Sequence, residues 1–327
     1  MKAIIVKQPG GPEELSIAER TKPSIKPDEL LIQVKAVSIN RADIEKRKGN
    51  YPGNSLNEQL LGLEISGIVE KVGKDVADWK QGDKVFGLLN NGGYAEFAAI
   101  QAARAMKIPD GWTFEQAAAV PEVFLTAYQT LHWIGALKQN EWVLIHAGAS
   151  GVGTAAIQLA KLADAQVIVT AGSDEKLAFC RELGADYTIN YKTQNFDEEV
   201  ADITRGEGVQ LILDFIGASY WKQNISSLSL DGRMVLIGFL GGSLIEQVDL
   251  MPLFSKRVEI NATLLGTRSN DYKARLTQEF ADKYLPLLEN GTIKPIIDKV
   301  FPFEKIAEAH KHMEASKNIG KIVVKID

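Results

Sequence analysis

The chain has 327 residues, 45% apolar and 24% charged, with a formal net charge of −5 at pH 7. That length suits about two domains whose cores need no metal or disulfide staples. The single cysteine, Cys180, rules out an internal disulfide and fits a reducing compartment. The acidic balance gives no broad attraction to nucleic acid or to an anionic membrane. No apolar run approaches the roughly 20 residues of a membrane span. The opening Met1-Lys-Ala-Ile-Ile-Val-Lys-Gln-Pro-Gly-Gly11 is too briefly apolar for a signal peptide. The expectation is a cytoplasmic protein.

Residues 1–121 read as β-rich. Strands are predicted at 3–6, 30–37, 67–72, 84–88 and 94–98. Between them lie turn signals at Gly10-Gly11-Pro12, Gln81-Gly82-Asp83 and Asn90-Asn-Gly-Gly93. This spacing suits a partly open β-barrel. Near Pro121 the pattern changes to a helix over 121–134, with proline in its first turn. Strands then follow at 143–145, 167–170, 187–189, 211–213, 234–237 and 258–262. Helices at 151–163, 173–183, 196–204, 220–227 and 252–256 separate them. Such alternation predicts an α/β fold with a doubly wound parallel sheet. The tail breaks it: a helix at 272–288 ended by Asn290-Gly291, a second at 303–316, and a closing strand at 321–326. That strand is expected to return to the first domain. The division is therefore 1–121, 122–266 and a returning segment 267–327.

Residues 143–161 carry the strongest functional signal. A buried strand, a glycine-rich turn and an apolar helix put backbone N–H groups where a diphosphate could sit. Against the pattern G-x-G-x-x-G, the six residues are Gly148-Ala-Ser-Gly-Val-Gly153. The first and last glycines fit; Ser150 replaces the middle one. The plainer alternative is a tight turn with no ligand. Cofactor choice is read at the end of the next strand, where an NAD enzyme carries an acidic residue for the ribose 2′-OH. Here the tip is Ala171-Gly172-Ser173, and Asp174 falls on the opening helical turn. A neutral tip leaves room for a 2′-phosphate, with Ser173 to donate a hydrogen bond and Lys176 to supply charge. The expected cofactor is NADPH. Ser173 as a helix cap and Lys176 as a surface residue form the bland alternative.

Several stretches resemble the quinone oxidoreductase branch of the medium-chain dehydrogenase/reductase family. They are Gly111-Trp-Thr-Phe-Glu-Gln-Ala-Ala-Ala-Val-Pro121, Trp142-Val-Leu-Ile-His-Ala-Gly-Ala-Ser-Gly-Val-Gly153, Asn40-Arg-Ala-Asp43, Gly62-Leu-Glu64 and Asn318-Ile-Gly-Lys-Ile322. Ile212-Leu-Asp-Phe-Ile-Gly217 and Ser219-Tyr-Trp221 resemble in particular the tumour-suppressor-inducible members in mammals. The resemblance spans nearly the whole chain. It implies a GroES-like partly open β-barrel domain, a Rossmann domain, a cleft between them, and a homodimer joined through Rossmann edges near 258–264. It also implies Asn40 and Tyr51 at the nicotinamide end. Tyr51 would contact substrate, with proton donation as a further option; Asn40 would hydrogen-bond substrate or ribose. Their plainer roles are a turn at Asn50-Tyr-Pro-Gly53 and a cap for a helix over 41–48. Ser150, Gly151 and Val152 match the diphosphate turn. Gly172, Ser173, Lys176 and Tyr191 match the adenosine-phosphate side, with sheet-edge packing as the alternative for Tyr191. Ile216, Phe239 and Leu264-Leu265-Gly266 match the nicotinamide wall, with core packing as the alternative for Phe239 and Leu264. Asn318 would reach the cofactor from the tail. Asp214, at a strand end, reads as structural.

The zinc-dependent members are the nearest competing reading. They use cysteine and histidine ligands, whereas this chain has Leu63 at the histidine position and Asn40 near that of a cysteine. His310 and His312, two residues apart, face different directions on a helix. Three well-placed zinc ligands cannot be assembled. A quinone is already a strong hydride acceptor, so positioning and oxyanion stabilisation suffice. The function expected is NADPH-dependent quinone reduction, with a small-molecule quinone as partner and neither membrane nor nucleic acid. Reduction of activated C=C bonds in enones or alkenals is the alternative. A non-catalytic RNA-binding or structural role is a third reading. Loops 49–60 and 240–250 are expected to set acceptor access.

Overall fold

The computed structural model describes residues 1–52 and 60–326. Gly53, the end of the turn expected after Asn50, and the rest of residues 53–59 in the expected access loop lie outside the described residues. The chain divides into two compact units, Met1–Leu125 with Gly266–Asp327, and Thr126–Leu265.

In chain order the first strands are β1 (Lys2–Val6), β2 (Leu15–Glu19), β3 (Glu29–Ile39), β4 (Glu64–Val72), β5 (Lys84–Leu88), β6 (Phe97–Gln101) and β7 (Ala105–Lys107). Then come β8 (Trp142–Ile145), β9 (Gln166–Ala171), β10 (Tyr187–Asn190), β11 (Val209–Asp214), β12 (Leu228–Leu236) and β13 (Glu259–Ala262). The tail carries β14 (Ile297–Pro302) and β15 (Lys321–Lys325). The helices that matter below are α1 (Arg41–Lys48), α2 (Phe114–Ala118), α3 (Pro121–Tyr128), α4 (Gly151–Leu162), α5 (Asp174–Glu182), α6 (Phe196–Ile203), α7 (Trp221–Ser227) and α8 (Met251–Lys256).

The first unit is built on β3. Its start pairs with β6 and its end with β15, both antiparallel, while β4 runs along most of its length. Pairing with β4 occupies one side, so β6 and β15 follow each other along the other. Irregularities at Leu31/Ile32 and Val34/Ala36 bend the strand to allow this. The sheet runs β14-β15-β3-β4-β5-β7, and its apolar face joins Ile32, Val34, Val37, Ile65, Val85, Ile322 and Val324 in one buried cluster. The tail strand thus closes the sheet of the first unit.

The second unit is a six-stranded parallel sheet in the order β10-β9-β8-β11-β12-β13. The chain winds outward from β8 to β10, returns to the middle at β11, and winds outward the other way. The order reverses between β8 and β11, the place where sheets of this kind bind ligands. No described helix is long and apolar enough to cross a membrane.

Three expectations need correction. The strand expected at 94–98 is β6, three residues later; Ala95 makes only an isolated bridge to Ala3. Tyr94 is instead held by the turn, its N–H bonded to the Leu61 carbonyl at 3.0 Å. The helix expected over 121–134 is α-helical only to Tyr128 and becomes a π turn over Gln129–Ile134, closed by Gly135 N–H on the Thr130 carbonyl at 3.0 Å. Strands β2, β7 and β14 were not anticipated.

Candidate active site

All six parallel strands point their C-terminal ends to one edge, so the residues that follow them gather there. Ser150, Gly151 and Val152 follow β8, and Gly172, Ser173 and Lys176 follow β9. Tyr191 follows β10, Ile216 follows β11, Phe239 follows β12 and Leu264 follows β13. Every candidate cofactor residue of this unit therefore sits along one rim.

The turn after β8 is built for close approach. A Cβ on Gly153 would stand 2.5 Å from the carbonyl oxygens of Ala147 and Gly148, and one on Gly148 would stand 2.8 Å from Val169 Cβ. Ser150 caps α4, its Oγ accepting the Gly153 N–H at 3.1 Å. The N–H groups of Gly151 and Val152 have no acceptor in the helix's own ladder. They face the region where a diphosphate is best stabilised by a helix N-terminus.

At the next strand tip, Ser173 caps α5 by accepting the Lys176 N–H at 3.4 Å. Asp174 accepts a hydrogen bond from Asn190 Nδ2 at 3.2 Å. Its carboxylate is thereby engaged at the β10 end, and the tip itself carries no negative side chain. Gly172 abuts Tyr191, whose hydroxyl would lie 2.6 Å from a Cβ there. Tyr191 is itself exposed and meets Tyr220 edge-on at 6.3 Å between ring centroids. These features fit a dinucleotide with a phosphorylated ribose: free N–H donors, close backbone and an uncharged tip.

Asp214 is structural. Its carboxylate accepts the N–H groups of Ile216 at 2.7 Å and Gly217 at 3.1 Å, fixing the turn after β11. Burial nonetheless holds its pKa above the ordinary value. His146 is also structural, bonded to Thr170 at 2.9 Å and Asn224 at 2.7 Å, and burial lowers its pKa to about 4. Phe239 is 55% exposed, so the core alternative for it fails; Leu264 is half-buried.

In the first unit, Asn40 stands at the head of α1, where Asp43 Oδ2 accepts its backbone N–H at 3.0 Å. Its side-chain amide reaches elsewhere. Nδ2 donates to Glu64 Oε1 at 2.8 Å, and Oδ1 accepts from Lys321 Nζ at 2.5 Å. Lys321 Nζ also donates to Glu64 Oε1 at 2.8 Å and to the Ile39 carbonyl at 3.2 Å. Ser38 Oγ donates to Glu64 Oε1 at 2.5 Å, and Glu64 Oε2 accepts the Glu122 N–H at the start of α3 at 2.7 Å. Ser38, Asn40, Glu64 and Lys321 are all buried.

Tyr51 follows α1, beyond the left-handed cap Gly49 (φ 80°). Its hydroxyl lies against Gly266, 2.5 Å from where a Cβ would stand. Burial first, then the charges of Glu122 and Asp43, push its phenol up to about 12. Lys46 Nζ lies 5.0 Å from the Tyr51 ring centroid. Nearby, Asn90 Oδ1 accepts from Lys273 at 2.7 Å and Arg104 at 3.1 Å, while its carbonyl accepts from Lys46 at 3.2 Å. Burial, with Arg104 and Lys46 beside it, brings Lys273 down to about 8. Asn318 donates to the Gly320 carbonyl at 2.7 Å, shaping the turn into β15.

Sequence reasoning overlooked Glu64, Lys321 and the basic group around Asn90. Lys321 carried a signal, as the one cation in the apolar run Ile319-Gly-Lys-Ile-Val-Val324. Nothing local pointed to Asn90, Arg104 and Lys273, which meet only through the fold.

A parallel sheet with a glycine turn at its reversal point, in one chain with a bulged antiparallel sheet closed by the tail, defines a two-domain nucleotide-dependent oxidoreductase. Residues 26–110 match the alcohol dehydrogenase GroES-like domain, and residues 151–282 match the zinc-binding dehydrogenase domain. Quinone oxidoreductase of Homo sapiens is 30% identical over 327 residues, covering 99% of this chain and 97% of that protein. The structure of Escherichia coli quinone oxidoreductase complexed with NADPH aligns over 100% of both chains, with a TM-score of 0.91 and 31% identity. That of CurK enoyl reductase aligns over 100% of this chain and 99% of its own, with a TM-score of 0.88 and 29% identity. The chain belongs to the medium-chain dehydrogenase/reductase family, with its GroES-like and Rossmann folds.

Zinc is a metal of this family, and the residues here do not fit it. Leu63 is apolar and buried, the Asn40 amide is committed to Glu64 and Lys321, and an ammonium already sits 2.8 Å from Glu64. Among the described residues, no three His, Cys, Asp or Glu side chains group to hold a metal ion.

Proposed function

We propose that this chain is an NADPH-dependent reductase that delivers hydride to quinones without a metal, as a homodimer in the cytoplasm. The observation that carries the reading is the neutral tip after β9, where Ser173 opens α5 and the Asp174 carboxylate is held by Asn190. The NADPH complex of the Escherichia coli relative supports it. When bound, the cofactor supplies hydride to an electron-poor acceptor. The chain's own part is to bind, orient and stabilise charge. Ser150, Gly151 and Val152 receive the diphosphate; Gly172, Ser173, Lys176 and Tyr191 receive the adenosine phosphate. Ile216, Phe239 and Leu264 line the nicotinamide, Asn318 reaches it from the tail, and Asn40 bonds ribose or substrate. Tyr51, with a phenol pushed up to about 12, keeps its proton at neutral pH. It serves as a hydrogen-bond donor to the developing oxyanion, and solvent supplies the proton that completes reduction.

The likeness to CurK enoyl reductase favours a second reading, reduction of activated C=C bonds. Both need hydride at an electron-poor centre. The test is NADPH oxidation followed spectrophotometrically across a panel of quinones and enones, with NADH as control. Quinone-dependent oxidation, faster with NADPH than with NADH, is expected. No oxidation by any quinone would overturn the leading reading, and turnover confined to enones would install the second.

The dimer is proposed to form at β13, an edge strand with no neighbour on its outer side in the described sheet. Leu244 (90% exposed), Phe254 (81%), Leu250 and Met251 lie in the segment just before it. Exposed apolar side chains beside an open strand edge mark an interaction surface.

A further inference from the structure

We propose that Glu64 and Lys321 are positioning residues for Asn40, and that their buried ion pair sets which way its carboxamide faces. The inference rests on the reading that Asn40 contacts ribose or substrate. An asparagine amide has two flip states of similar shape, and ordinary surroundings often distinguish them weakly. Here the two neighbours are chemically one-sided. An ammonium can only donate and a carboxylate can only accept. The oxygen must therefore face Lys321, at 2.5 Å, and the nitrogen must face Glu64, at 2.8 Å. The reversed amide would set N–H against ammonium and C=O against carboxylate. Burial sharpens the choice, since Asn40 is 4% exposed, Lys321 3% and Glu64 fully buried.

The pair is itself held from outside. Glu64 accepts from Ser38 and from the Glu122 N–H, and Lys321 spends its remaining N–H on Ile39. Every hydrogen of Lys321 is used. One N–H of Asn40 remains for a ligand. The ammonium on the amide oxygen also polarises the amide and strengthens that remaining N–H as a donor. A pair needed only for stability would have no reason to clasp both ends of one amide.

The test compares wild type with the double variant Glu64→Gln/Lys321→Met. Replacing a whole buried ion pair by neutral groups is often tolerated, whereas removing one partner is not. The first readout is the side-chain amide signal pair of Asn40 in a proton–nitrogen NMR spectrum, assigned by its loss in Asn40→Asp. Wild type is expected to give a widely split pair, unlike exposed asparagines. The double variant should collapse the splitting, and Lys321→Arg should retain it. An ordinary Asn40 pair in wild type would overturn the proposal whether or not any variant folds. The second readout is kcat/KM with NADPH and a quinone. It should fall about tenfold or more in the double variant with the melting temperature retained, because misplaced contacts are costly in rate. Collapsed splitting with unchanged kcat/KM would break the link to the reaction. If wild type oxidises NADPH with none of the quinones or enones, the proposed function fails, while the amide signal still decides the positioning of Asn40.

Discussion

Ser150 and Ser173 do the same job on neighbouring strands. Each follows a parallel strand, caps the next helix, and accepts an N–H from that helix's first turn. In the turn after β8 the close backbone approaches are made by Gly148 and Gly153, so a serine between them is a cap rather than a defect. Ser173 places Lys176 on the first turn of α5, beside the proposed 2′-phosphate. A charge-assisted hydrogen bond is worth about 1.5–3 kcal/mol. Lys176→Ala is therefore expected to raise the NADPH dissociation constant about tenfold or more and leave that for NADH nearly unchanged, as titration by fluorescence would register. Equal loss for both cofactors would remove Lys176 from the phosphate. These residues were legible because strand, turn and helix are contiguous. Glu64 and Lys321 were not, since they lie 257 positions apart and meet only when β15 returns to β3. A buried cation demands a partner, but a sequence does not name it.

At the scale of elements, the parallel sheet was the more readable half. Its strands are short runs separated by helices, the central ones buried on both faces, and all six were anticipated, although β12 begins at Leu228, six residues before the expected start. The antiparallel sheet was harder. Strand β14 reads Ile297-Asp-Lys-Val-Phe-Pro302, with two charges and a closing proline, which is edge-strand composition rather than a clear strand signal. The π turn after α3 leaves no mark in the sequence, because its wider bonding depends on how Gly135 packs against Leu211 and the Thr130 carbonyl. The turn between β8 and α4 offers the sharpest test of an element. Gly153→Ala would drive a methyl to 2.5 Å from two backbone oxygens, which must then move. Overpacking of this kind costs about 1–3 kcal/mol, so the melting temperature should fall without cofactor present. NADPH affinity should fall as well, since the displaced backbone is the one proposed to hold the diphosphate. A variant with normal affinity would show that the turn is not the diphosphate site.

At the scale of the whole molecule, β13 leaves the second unit's sheet with an open edge. The β10 edge differs: there Asn190 caps the strand end through Asp174 and Gln194, and the exposed residues that follow are mostly polar, with Lys192, Thr193, Gln194 and Asn195 in a row. At the β13 side, Leu244, Leu250, Met251 and Phe254 are all exposed. Burying each such side chain is worth about 1.5–3 kcal/mol, while association costs about 4–15 kcal/mol in lost freedom and ordering. The apolar residues of one copy alone would give a marginal complex. A two-fold dimer uses the same patch twice and adds backbone hydrogen bonds along β13, which moves the balance clearly toward association. Leu244→Asp with Phe254→Asp replaces the two most exposed of these apolar side chains by charges on both copies. The double variant is expected to be a folded monomer by light scattering after gel filtration, with wild type a dimer at the same micromolar concentration. Both side chains are exposed in the described structure, so the charges should leave the fold of each copy intact. A wild-type monomer, or a double variant that stays dimeric, would show that this edge is not where two copies meet.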